Sequence, residues 1–306
     1  MRRRTVLVIG TLAFALASCA DDSTTSVDAV ATPTATSVET TATTLDTTTS
    51  TAPSSTAPSS TAPSSTTTTS TTPTSTTTST VAPPPGLLDL NQDVVGLGYS
   101  VEGLPIFAER YGTPGGRRVL VIGAIHGDED DGIAIVEELR RRAVPDGVEL
   151  WLVESMNPDG VADQDRHNAN GVDLNRNFPY NWGPIGVPGD SQYAGTAPAS
   201  EPETQAMINF MQQLQPDITT WYHQDLFVVN PAQGRDGRIR ARYAELTGLP
   251  MGEITGGTYT GVAATWARNE FRPADGVAFI VELGVTLSPE EAVTHADAVL
   301  SIATEG

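Results

Sequence analysis

The sequence predicts an α/β domain, a three-layer α/β/α sandwich around a mostly parallel mixed sheet, behind a long non-globular leader. Three observations carry that expectation. Short apolar runs rich in β-branched residues at 118–125, 148–154, 217–222 and 277–281 read as strands buried on both faces. Helical spacing of apolar residues alternates with them, most clearly around 133–142, 200–214 and 288–302. The first two runs with the helical stretch between them make a strand, helix, strand unit, whose crossover sets two strands parallel in one sheet.

The chain does not begin as a domain. Arg2, Arg3 and Arg4 precede an apolar stretch at residues 5–16 that is too short to remain in a bilayer, the pattern of an export signal over residues 1–19. Its end, Leu16-Ala17-Ser18-Cys19, resembles the bacterial lipobox, in which the cysteine is lipidated and becomes the new N-terminus. Ordinary signal cleavage beside an incidental cysteine is the plainer alternative, and the arginine pair also suits the twin-arginine route. Cys19 is the only cysteine, so the folded part has no intramolecular disulfide to rely on. Residues 20–85 are dominated by Ser, Thr, Pro and Ala, with Thr-Ala-Pro-Ser-Ser three times over residues 51–65. Such a segment buries too little apolar surface to offset its ordering entropy and reads as a disordered tether open to O-glycosylation. Residues 86–306 remain as a single domain long enough for a substantial core. The net charge of −20 falls mostly on it, which argues against nucleic acid as a partner and against charge-driven adhesion to anionic lipids or wall polymers.

Within the domain, residues 87–101 mix apolar and turn residues, and residues 104–108 read as a strand leading into the Gly-Thr-Pro-Gly-Gly turn at 112–116. The strand at 118–125 ends in His126-Gly127-Asp128-Glu129. Asp131 and Gly132 then open a helix with Ile133, Val136 and Leu139 on its apolar face and three arginines at its C-terminus, where the dipole favours cations. After the strand at 148–154, residues 155–160 form a tight turn. Residues 166–179 form a polar loop rich in Asn, Asp and Arg, a poor core and a good ligand surface. Ser200 and Glu203 have capping-box spacing for a helix with Met207, Phe210, Met211 and Leu214 as its buried stripe. The strand at 217–222 ends in His223. Residues 237–246 read as a short arginine-rich surface helix, and residues 252–272, rich in Gly and Thr, as a specificity loop. The strand at 277–281 delivers Glu282, and Ser288 with Glu291 opens a C-terminal helix whose apolar face is Ala292, Val299 and Ile302. His295 on that helix is expected at the surface, and His167 beside Arg166 in its loop.

Two imidazoles and a carboxylate at strand ends suit a catalytic zinc, which takes three protein ligands and leaves a position for water. His126, Glu129 and His223 would supply that set. Taken in order, His126-Gly-Asp-Glu129, Asn157-Pro-Asp-Gly160, Arg166 through Asn177-Phe-Pro179, Tyr222-His223 and Phe279-Ile-Val-Glu282 resemble the metallocarboxypeptidase family of zinc peptidases, and are most similar to its murein peptide amidase branch. The resemblance spans the domain from about residue 98 onward. It implies one Zn²⁺ held by His126, Glu129 and His223, with Glu282 as general base and then general acid, and Arg166 sharing the developing oxyanion. Asn175 and Arg176 would grip the carboxylate of the released residue, Asp173 would accept from and orient His126, and Tyr259 would close over substrate. Asp225, Arg268 and Arg272 are further pocket candidates.

The expected activity is hydrolysis of the γ-D-glutamyl-meso-diaminopimelate bond of murein peptides by a monomeric catalytic domain tethered outside the cytoplasmic membrane. The alternatives are a carboxypeptidase of ordinary peptides and an inactive wall-peptide-binding lipoprotein. A binding module has no need of Glu282 as a base.

Overall fold

A computed structural model describes residues 86–271 and 275–306. The export signal, Cys19 and the tether lie outside the described residues, as does Arg272.

Seven strands form one mixed sheet in the order β1-β2-β4-β3-β5-β7-β6. Strands β4 (Val148–Ser155), β3 (Arg117–Ala124), β5 (Ile218–Gln224) and β7 (Val277–Leu283) are parallel neighbours at its centre. The flanks are antiparallel: β1 (Val94–Tyr99) on β2 (Pro105–Gly112), β2 on β4, and β6 (Val228–Val229) on β7. The parallel part is thus confined to the four strands that the apolar runs pick out.

Alternation along these strands builds two cores. Val119, Val121, Leu150, Leu152, Tyr222 and Phe279 face one side, where they meet Ile135, Val136 and Leu139 of α1 (Gly132–Arg140), Ile239 and Tyr243 of α4 (Gly234–Thr247), and Val299 and Ile302 of α6 (Pro289–Ile302). Leu120, Ile122, Trp151, Val153 and Trp221 face the other, against Met207, Phe210, Met211 and Leu214 of α3 (Pro202–Leu214) and Trp266 of α5 (Ala263–Phe271). Sheet and two helix layers follow from the period-2 pattern of strands whose faces are both apolar.

Several local expectations are corrected by tertiary contacts. The apolar face of α1 uses Ile135 where Ile133 was expected, Ile133 being only half-buried. The predicted tight turn after β4 is a short helix, α2 (Pro158–Asp163), capped by the Asn157 side chain, which accepts from Gly160 N at 3.1 Å. Ser200 does not cap α3. Its N-cap is Glu201, which makes no side-chain cap bond; the Ser200 hydroxyl donates to the Glu201 carboxylate at 2.6 Å and accepts from Asn177 Nδ2 at 3.0 Å. Glu203, the other half of the expected box, is buried and accepts from Val101 N and Asn168 Nδ2 at 2.9 and 3.0 Å. Both side chains have been taken up in holding the 166–179 loop and the β1–β2 turn. The box on α6 does form, with Ser288 accepting from Glu291 N and Glu291 accepting in return from Ser288 N.

The arginine-rich helix is not confined to the surface, since Asp236, Ile239, Arg240, Tyr243 and Ala244 of α4 are buried. Nor is His295 exposed. It is buried on the inner face of α6, with Nδ1 2.7 Å from the Tyr243 hydroxyl, itself 2.8 Å from the Tyr222 hydroxyl. Burial pulls its imidazole down to about 4.

Candidate metal centre

The chain leaves β3 toward β4 on one side and later fills β5 on the other, so the carboxyl ends of β3 and β5 flank a crevice where the connections diverge, the usual ligand position in open α/β sheets. His126 lies two residues beyond the end of β3, and His223 is the penultimate residue of β5. The bend between His126 and Glu129 needs a residue without a side chain, because a Cβ on Gly127 would stand 1.9 Å from the carbonyl carbon of Gly160. Asn157 fixes that contact from below, donating to Ile125 O and His167 O at 3.1 Å each.

The three side chains converge. One nitrogen from each of His126 and His223 and one carboxylate oxygen of Glu129 lie within 4.8 Å of one another. His223 Nδ1 is 2.8 Å from Glu129 Oε2, and His126 Nδ1 is 3.0 Å from the same oxygen yet makes no hydrogen bond, although it is buried. A buried imidazole nitrogen left without a bond and aimed at a point shared with a second imidazole and a carboxylate fits Zn²⁺, whose donors are neutral nitrogen and anionic oxygen. The charge balance agrees. Although burial works against it, Asp173 and Glu129 raise the proton affinity of His126, as expected of an electronegative position awaiting a cation. Burial lowers that of His223, favouring its neutral, ligating form.

Asp173, fully buried, accepts from His126 Nε2 at 3.0 Å, from Arg166 Nη2 at 2.9 Å and from Asn175 N at 2.9 Å. The first of these bonds leaves the Nδ1 lone pair of His126 facing the shared point. Arg166 also donates from Nη1 to Glu129 Oε1 at 2.6 Å.

Glu282 stands opposite His223 in the β5–β7 register and is 7% exposed. Its Oε2 is buried without a hydrogen-bond partner, and burial, reinforced by the Glu129 charge, pushes the carboxyl up to about 7. Burial opposes ionisation of Glu129 too, but His126 and His223 hold that carboxyl well below the usual carboxylate range. Two neighbouring carboxylates driven apart in this way are suited to different tasks, one to bind a cation and one to exchange protons.

The centre opens into a cavity of about 490 Å³ that also holds Asn175, Arg176 and Tyr259. Asn175 is fixed by accepting from Ala263 N at 3.0 Å. Arg176 is buried, has no hydrogen-bond partner for Nε, and lies 5.5 Å from the centre of the Tyr259 ring. Tyr259 itself is 46% exposed at the mouth. Arg268 lines the cavity, whereas Asp225 is exposed and is not among the lining residues. His167 is half-buried in its loop, with Nδ1 2.8 Å from Asp165 Oδ1.

Sequence reasoning missed Arg240, which also lines the cavity. The signal was present: Asp236, Ile239, Arg240, Tyr243 and Ala244 fall at helical spacing on one stripe, and an acid four residues before an arginine on an apolar face marks a buried ion pair.

Residues 91–229 match the family model described as zinc carboxypeptidase, Peptidase_M14. The match holds all three converging side chains and ends before Glu282. Murein peptide amidase A of Escherichia coli K12 is 31% identical over 159 residues, 48% of this chain and 64% of the relative, so the chain spans slightly less than two thirds of that protein. Carboxypeptidase SOL1 of Arabidopsis thaliana is 28% identical over 166 residues, 48% of this chain and 32% of the relative. Among solved structures, the murein-tripeptide amidase of Escherichia coli O157 superposes with a TM-score of 0.57 at 24% identity, covering 70% of this chain and 93% of that one. Carboxypeptidase A of Helicoverpa armigera gives 0.60 at 18% identity, covering 69% and 67%. At these identities the two structures speak for the α/β fold.

Proposed function

We propose that the chain, whose residues 91–229 match the zinc carboxypeptidase family model, is a zinc-dependent hydrolase of an amide bond next to a free carboxylate, and that its substrates are murein peptides cut between γ-D-glutamate and meso-diaminopimelate. The observation that carries the reading is the convergence of His126, Glu129 and His223 beside a Glu282 whose Oε2 is buried, unpartnered and pushed up to about 7. Zn²⁺ held by those three residues would polarise the scissile carbonyl and lower the pKa of the attacking water.

The remaining steps belong to side chains of this chain. Glu282 takes a proton from the water at Oε2 and hands it to the departing amine, a role suited to a carboxyl whose burial favours the proton-bound form. Arg166 brings a fixed cation to the oxygen that gains charge in the transition state. Asn175 and Arg176 hold the carboxylate of the released residue, the Arg176 Nε donor being free to meet it. Asp173 keeps His126 in its ligating tautomer, and Tyr259 closes over the substrate from the mouth.

The murein assignment draws support from the similarity to murein peptide amidase A. The export signal and Cys19 support a lipid-anchored position on the outer face of the cytoplasmic membrane, beside that substrate. The test is to incubate the zinc-loaded protein with L-Ala-γ-D-Glu-meso-diaminopimelate and follow free diaminopimelate by mass spectrometry. Release that stops with chelator and returns with zinc is expected. No release, alongside efficient trimming of ordinary L-peptides, would replace the murein reading by a general carboxypeptidase.

A further inference from the structure

The cavity that holds the metal centre ends, away from it, in a pair of arginines. Ala278, Ile280 and Glu282 of β7 all line it, and at about 3.3 Å per residue Ala278 lies roughly 13 Å along the strand from Glu282. Two helices send guanidiniums to that end. Arg240 Nη2 of α4 and Arg268 Nη1 of α5 both donate to Ala278 O, at 3.0 and 3.3 Å. One carboxylate serves the two: Asp236 accepts twice from Arg240, at 2.9 and 2.6 Å, and stands 3.8 Å from Arg268. The group therefore keeps an excess positive charge, and it resides on Arg268. Arg240 is buried and neutralised; the Arg268 side chain is one-third exposed, and it lines the cavity.

The surroundings sharpen the excess. In a chain of net charge −20, this cavity is lined by Arg166, Arg176, Arg240 and Arg268 against the carboxylates Glu129 and Glu282. Glu129 and Glu282 are both at the metal end. Burial and the neighbouring Arg240 cation lower the proton affinity of Arg268, so an anion brought to it would relieve an existing repulsion. A planar guanidinium in a partly desolvated pocket favours a carboxylate.

We propose that this end of the cavity selects a released residue whose side chain is long and ends in a carboxylate, with Arg268 meeting that carboxylate and Arg240 positioning the wall behind it. The proposal rests on the hydrolysis proposed above for the direction in which the substrate lies. It narrows the substrate class to residues carrying a carboxylate several bonds from Cα: the distal carboxylate of diaminopimelate, which stands beside an ammonium, or the side chain of glutamate in an ordinary peptide. The span to Ala278 suits such a side chain better than the short one of aspartate.

Two matched pairs test it with the zinc-loaded full chain. L-Ala-γ-D-Glu-meso-diaminopimelate and L-Ala-γ-D-Glu-L-Lys differ only in the distal carboxylate; an N-blocked L-dipeptide ending in Glu or Gln differs only in charge. We expect kcat/KM to favour the acidic member by about tenfold or more, as a charged contact at a partly buried site implies. Arg268→Gln should bring that ratio close to one, chiefly through KM, and Arg268→Lys should restore part of it. Equal cleavage of diaminopimelate and lysine tripeptides would overturn the anion site while leaving the amidase reading intact. Cleavage of neither tripeptide, with a Glu over Gln preference that Arg268→Gln removes, would uphold the anion site and sink the murein reading. A ratio unchanged in Arg268→Gln overturns the role of Arg268. Zinc content and thermal midpoint of each variant identify one that has failed to fold, and in that event the wild-type ratios decide the proposal.

Discussion

Replacing Asp173 by Asn removes one charge and no volume, yet it should weaken zinc binding strongly. The carboxylate satisfies three donors at once: His126 Nε2 at 3.0 Å, Arg166 Nη2 at 2.9 Å and Asn175 N at 2.9 Å. Asparagine has one acceptor oxygen and one amino group. His126 Nε2 and Asn175 N share Oδ1 while Arg166 takes Oδ2. If the asparagine oxygen stays with Arg166, the amino group replaces Oδ1 and faces His126 Nε2, and the imidazole must turn its proton from Nε2 to Nδ1. Nδ1 is the nitrogen aimed at the ligand point, so the tautomer that accommodates Asn is the one that cannot bind metal. Loss of a partner of this kind typically costs 10- to 100-fold in metal affinity, about 1.4–2.8 kcal/mol. Competition titration against a chromophoric chelator measures it, with the thermal midpoint of the metal-free protein as a control. A zinc affinity within twofold of wild type, in a variant that folds normally, would refute the claim that Asp173 sets the His126 tautomer.

Three further outcomes are expected. Glu282→Gln should retain one zinc per chain and lose about 10²- to 10⁴-fold in kcat, since it removes the proton carrier and no ligand; an active variant in a steady-state assay removes Glu282 from the mechanism. His295 has its pKa depressed by burial from 6.5 to about 4. Its stabilising contribution is therefore complete above pH 6.5 and lost as pH falls through about 4, roughly 3 kcal/mol over that window, and urea melts of the metal-free protein at several pH values should show His295→Asn without that part of the slope. Glu203 has the opposite sign: burial raises it from 4.5 to about 7, so its contribution is complete below pH 4.5 and lost as pH rises through 7. Glu203→Gln should accordingly gain stability relative to wild type between pH 5 and 8, and a constant difference across that range would contradict the assignment.

The strand ends that carry His126, His223 and Glu282 are legible in the sequence because a strand buried on both faces writes an unbroken apolar run, and the polar residue that ends it is conspicuous. The helix α5 is less legible. Its buried residues Ala263, Ala264 and Ala267 are small, and the Gly- and Thr-rich stretch before it hides where it starts. Ser200 and Glu203 had the spacing of a cap, but Asn177, Asn168 and Val101 compete for the same oxygens from distant parts of the chain, and no local pattern reports that competition. His295 departs from expectation for a different reason. It lies three residues after Ala292 and four before Val299, on the apolar stripe, so its position predicts burial where its residue type predicts the surface. Strand β6, two residues long, has no period to detect.

The register that sets His223 beside Glu282 ties the chemistry to the order in which the protein is made. His223 and Glu129 are 94 residues apart in the chain, and Glu282 arrives only with the seventh strand. A ribosome that has produced β3, α1 and β4 has made His126 and Glu129 and nothing for them to converge with. His223 waits for β5, and Glu282 for β7 to dock along it. Contacts of such long sequence separation are slow to close, so in an unfinished or still-unfolded chain the proposed centre would be unassembled until the central sheet is complete.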